Sequence, residues 1–108
     1  MAELSQSIEA CIKTALTEAH ALVRDEFAKV GDVAPPGSAL DQNGLVDGDK
    51  IVLDYIDHSE CGVAFEHLLF MVDELNLPIS QQAYDCIDIV GRAMQMDSNK
   101  WSRHRPGG

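Results

Sequence analysis

No apolar stretch in this chain is long. The longest, Leu68-Leu69-Phe70-Met71-Val72, has five residues, and a membrane-spanning helix needs roughly 20. The N-terminus, MAELSQSIEACIK, has no basic start followed by an apolar stretch, so no secretory signal is visible. A soluble, cytoplasmic protein with no membrane partner is the expectation. Positive charge is also scarce. Eight Lys and Arg stand against 18 Asp and Glu, a net charge of −10. A nucleic-acid binder needs a basic surface to displace counterions, so direct nucleic-acid binding is not expected. There are three cysteines, Cys11, Cys61 and Cys86, an odd number without paired spacing. Each falls among helical apolar positions, which reads as buried free thiols in a reducing compartment. Neither the alternation of a strand nor an internal repeat occurs.

What is present is helical periodicity. A length of 108 residues suits one domain, and 45% apolar residues suffice for one core. From about Glu3 to Val30, Leu4, Ile8, Cys11, Ile12, Ala15, Leu16, Ala19, Leu22, Val23, Phe27 and Val30 recur at spacings of three and four. Glu9–Lys13 and Asp25–Lys29 are oriented pairs on the wet face. Gly31 ends the helix. Residues 31–46, with Pro35-Pro36-Gly37 and Asn43-Gly44, form a long loop. A second helix spans about Asp47–His58, with Ile51, Val52, Tyr55 and Ile56 inward and Gly48 in its first turn. Ser59 breaks or caps the joint. A third, about Glu60–Asn76, carries Cys61, Ala64, Phe65, Leu68, Leu69, Val72 and Leu75. Val63, Phe70 and Met71 widen its apolar face, which makes it the expected central helix. In Leu77-Pro78-Ile79-Ser80, Pro78 forces Leu77 out of the helical region. Ser80 caps a fourth helix over Gln81–Met96, and Ile79 can staple onto Tyr84. Tyr84, Ile87, Val90, Gly91 and Met94 face inward. Gly91 costs about 1 kcal/mol against Ala in a helix, which points to a close helix–helix approach there. The expected fold is all-α: a compact four-helix domain over 1–97, one long N-terminal helix and three antiparallel helices. Residues 98–108, SNKWSRHRPGG, lack periodicity and are expected to form a mobile basic tail.

Candidate chemistry is sparse. Residues Asp41–Asp49 resemble a calcium loop. Aligning Gly48 with the invariant glycine puts Leu45 at a ligand position and Lys50 beside the ion, so a turn and helix cap is the better reading. Asp54 and His58 lie one turn apart, with His67 on the next helix, but a ferritin-like site needs Glu-x-x-His pairs and none occurs. His58 near a helix end suits the negative carbonyl dipole. Cys61 sits near a helix start, which favours a thiolate, but Glu60 opposes ionisation. No nucleophile elbow or phosphate loop appears. The chain reads as a non-enzyme with no cofactor and no metal.

The acids are unevenly spread. Residues 41–97 hold twelve acids against Lys50 and Arg92, net −10, while 98–108 carry Lys100, Arg103 and Arg105, net +3. Asp54, Asp57, Glu60, Glu66, Asp73, Glu74, Asp85 and Asp88 lie off the apolar stripes. A solvated face is the simplest reading. The local imbalance adds self-repulsion that a basic partner would relieve, so these eight are the candidate partner-binding residues. Tyr55 and Phe70 are anchor candidates if exposed.

The run DYIDHSECGVAFEHL, then LPIS, a Tyr four residues after that Ser, and a closing IVGRAM resemble small bacterial immunity proteins of the MafI and contact-dependent growth inhibition type. The resemblance covers Leu53–Met96, 44 of 108 residues. It implies a protein that binds and neutralises a co-encoded toxin domain. Toxins of this family are often nucleases with basic grooves, which acidic helices could cover. The alternative is a helical adaptor or regulatory module for a basic cellular protein unrelated to toxins.

Overall fold

The computed structural model describes residues 2–31, 36, 45 and 47–106. Helix α1, Ala2–Lys29, follows the long apolar stripe. Ile12, Ala15, Leu16, Ala19, Val23 and Phe27 are buried along it. Gly31 then takes a φ of +75°, a left-handed conformation that a residue without Cβ adopts at little steric cost. Val30 falls in the closing turn and is exposed, not part of the stripe. Lys29 pairs with Glu26 at 2.9 Å instead of with Asp25, since spacings of three and four both bring side chains together on a helix.

Helix α2 is Gly48–Asp57, α3 is Cys61–Leu75 and α4 is Gln81–Ala93. Among the described residues there is no strand. The all-α class with one long N-terminal helix is therefore as expected. The centre of the fold is not. α1 packs against α2, α3 and α4, whereas α3 and α4 approach each other directly at few places. At 1.5 Å per residue a helix of 28 residues is about 42 Å long, enough for three shorter helices to share it. The molecule measures 44 × 34 × 19 Å, so it is about two helix diameters thick. The expected core residues Phe65, Leu68, Leu69, Val72, Ile87 and Val90 are all buried. Val63 is exposed, outside the apolar face of α3. Gly48 matters more than its first-turn position suggests. A Cβ there would meet the Met71 sulfur at 2.6 Å, so α2 starts directly against α3.

Three helices end in the same way. Ser59, Asn76 and Gln95 have φ of 61°, 47° and 58°. Each is followed by a residue whose N–H reaches back five positions: Glu60 to Tyr55 at 2.8 Å, Leu77 to Val72 at 3.0 Å, Met96 to Gly91 at 2.9 Å. The left-handed residues donate to Ile56, Asp73 and Arg92. This is the Schellman closure, which satisfies the last carbonyls and turns the chain. It stops α4 at Ala93, short of the expected Met96. The start of α4 is as expected: Ser80 accepts from the Ala83 N–H. Its own N–H and hydroxyl both donate to the Glu18 carboxylate of α1, which also places a negative charge at the positive end of α4.

The C-terminal segment departs most from expectation. Residues 98–106 are not a free tail. Two 3-10 turns, Ser98–Lys100 and Ser102–His104, fold back over α3 and α4. Trp101 is fully buried, with its ring edge-on to Phe65 of α3, centroids 5.9 Å apart. On its other side it fills the space where Gly91 of α4 lacks a Cβ. The close approach at Gly91 is thus made by an indole, not by a helix. Trp101 is the wedge between two helices that scarcely meet. The folded unit therefore runs past 97 to at least 106.

Candidate functional site

The eight carboxylates fall into three groups. Asp54 and Asp57 on α2 and Glu60 at the start of α3 surround His58. Its Nδ1 donates to the Asp54 carbonyl at 2.8 Å. That bond first, and then the negative charges of Asp54, Glu60 and Asp57, raise the His58 pKa above its ordinary value. The imidazole sits at the C-terminal end of α2, as the dipole argument expects. Along α3, Glu66, Asp73 and Glu74 line one side of a groove facing the C-terminal segment. On α4, Asp85 accepts from Gln81 at 2.7 Å, and Asp88 accepts from Arg92 and from the Trp101 indole, each at 3.0 Å.

Exposure separates them further. Asp54, Asp57, Glu60, Glu66, Glu74 and Asp85 are exposed. Asp73 and Asp88 are only partly so, and both are already engaged inside the protein. Asp73 meets Nε2 of the buried His104 and the Arg103 guanidinium at 2.7 Å. The Trp101 N–H is the leading cause that holds the Asp88 carboxyl below its ordinary range, against the opposing effect of partial burial. Arg105 lies over the Tyr84 ring, 5.6 Å from its centroid. The basic segment therefore neutralises part of the acidic surface from within. Nothing in the helical periodicity signalled this. The one available sign was a lone Trp among three cations, opposite a helical glycine.

Tyr55 and Phe70, the anchor candidates, are both half-buried. Phe70 borders the groove at Glu66, and its ring stacks at a tilt on His67, centroids 5.3 Å apart. Tyr55 flanks a shallow hollow with Lys50, Ile51 and Asp54.

The other candidates gain little. Among the described residues, no three His, Cys, Asp or Glu side chains gather as a metal-ligand set. Most of the 41–49 stretch lies outside the described residues, apart from Leu45, which is buried, and 47–49. The three cysteines are free and half-buried, not fully buried. Partial burial pushes the Cys61 thiol up, helped by Glu9 across on α1 and not by the adjacent Glu60. Cys86 is pushed up to about 11 by burial and by a side-chain hydrogen bond with Cys11. Neither thiol is disposed to ionise at neutral pH. No helix among the described residues is long and apolar enough to cross a membrane. Comparison with family models, curated proteins and solved structures finds no match to this chain.

Proposed function

We propose that this protein is an immunity protein that binds and neutralises a co-encoded bacterial toxin domain through its acidic helices. The observation that carries the reading is the set of exposed carboxylates on α2, α3 and α4. Three of the chain's eight Lys and Arg, namely Arg92, Arg103 and Arg105, are engaged with Asp88, Asp73 and Tyr84. Asp57, Glu60, Glu66 and Glu74 form no ion pair with another described residue. Uncompensated surface charge of one sign draws an oppositely charged protein and speeds its encounter. The resemblance over Leu53–Met96 supplies the identity of that protein, a toxin domain with a basic active-site groove. Covering the groove would exclude its polyanionic substrate.

The test is pull-down and growth rescue with the toxin domain encoded beside this chain. Binding with rescue supports the proposal. Failure of the intact protein to bind any neighbouring toxin ends it and leaves the adaptor reading. Lysine substitutions at Asp54 with Asp57, and at Glu66 and Asp85, should weaken binding while the protein stays folded. Asp73 and Asp88 suit this test poorly, because each also holds the C-terminal segment.

A further inference from the structure

We propose that the groove between α3 and the C-terminal segment is an anchor pocket for one exposed arginine of the basic partner; this deepens the reading of the acidic helices as a partner surface and rests on it. The groove is open to solvent and has a volume of about 430 Å³, within the range of sites that hold a small ligand. Leu69, which is buried, and the half-buried Phe70 give it an apolar side. Glu66 and Glu74 bring two carboxylates to the same lining. An arginine matches that pairing. Its methylene stem covers apolar surface, its planar head stacks on an aromatic face, and its donors meet a carboxylate bidentately.

The groove already contains one such contact. Arg103 enters its wall and places Nη2 2.7 Å from Asp73. With that pair closed, Glu66 and Glu74 face Lys100 alone among the remaining charged lining residues. One negative charge is left over. The balance favours a single cation over a polycation, and it disfavours an anion. Trp101 and His104 are buried, so the segment forming the second wall is fixed to the core, and the pocket is preorganised. Most binding energy at an interface comes from a few side chains seated in such pockets, with surrounding charges acting on association.

Two measurements test this. In the first, the intact ¹⁵N-labelled protein is titrated with a short capped peptide holding one arginine and followed by amide NMR. Saturable shifts centred on Leu69, Phe70 and Glu74, lost in the Glu66→Gln/Glu74→Gln double variant, are expected. Shifts spread evenly over α2, α3 and α4, or unchanged in the variant, would overturn the pocket. So would shifts at Lys100 and Arg103 evoked by inorganic phosphate in place of the peptide, which would mark an anion site. In the second, affinity for the toxin domain is compared across variants. The Glu66→Gln/Glu74→Gln variant should bind at least tenfold more weakly through faster dissociation, whereas Asp54→Asn/Asp57→Asn should lose less than threefold. Toxin binding that is retained but indifferent to the groove variant removes the pocket and leaves the immunity reading standing. Absence of binding by the intact protein removes the immunity reading, and the peptide titration then decides the pocket alone.

Discussion

The Asp88 carboxylate accepts both the Trp101 indole N–H and the Arg92 Nε–H. Both bonds favour the ionised form, which keeps its folded pKa below the ordinary 3.8. A lowered acid pKa contributes stability that is present above the unfolded value and disappears as pH falls through the folded one. Asp88→Asn keeps an acceptor for the indole but cannot ionise. Its urea midpoint, read by Trp101 fluorescence, should lie below that of the parent protein at pH 7. The gap should close as the pH drops below 3.8. Leu68 poses a simpler case. Its side chain is fully buried, so Leu68→Ala removes apolar contact and leaves a cavity. The cost should be about 2–5 kcal/mol, measured by chemical denaturation, and a loss under about 1 kcal/mol would show the site collapsing freely.

Each of α2, α3 and α4 ends on a non-glycine residue in the left-handed region, and the three residues differ in how well they tolerate it. Asn76 is the best suited, because a short polar side chain can bond locally. Gln95, φ 58°, has no such advantage and is exposed. Gln95→Gly should therefore raise stability by up to about 1 kcal/mol, seen as a higher thermal midpoint. No change or a loss would mean that the Gln95 side chain makes a contact worth its strain. The element boundaries depend on these closures. Pro78 and Ser80 announced the start of α4 from the sequence, because their effects act on neighbouring residues. The break at Ser59 was expected, but neither Ser59 nor Gln95 is a glycine that would announce a left-handed conformation. These ends are imposed by where the next segment must go.

For the molecule as a whole, the C-terminal segment completes the fold. It joins α3 and α4 through Trp101, Asp73–His104 and Arg105–Tyr84. Truncation after Asp97 would uncover Phe65 and the Gly91 surface, and losing a buried Trp alone costs about 3–5 kcal/mol. Domains of this size have only about 5–15 kcal/mol in hand. Truncation should broaden the thermal transition or abolish it, checked by circular dichroism. The net −10 surface makes a second prediction at this scale. Raising salt from about 0.05 to 0.5 M should slow association with a basic toxin domain by about tenfold or more and alter dissociation less, as followed by stopped-flow.

Four helices, most of their apolar faces, the Ser80 cap and the overall acidity are legible in the order of the amino acids. These follow from side-chain spacing along one chain and from neighbour effects, which are local. The same order also marked the eight carboxylates as lying off the core, because a stripe fixes its opposite face. Which of them remain free depends on how the chain packs. Asp73 and Asp88 are taken by His104, Arg103 and Trp101, residues distant in sequence and without periodicity. Likewise, α1 became the centre because of its length relative to three partners, and Gly91 met an indole instead of a helix. Glu18 joined the α4 cap across 62 positions. Contacts of this kind depend on which surfaces meet when the helices pack, and that is a property of the assembled core, which no single stretch of sequence carries.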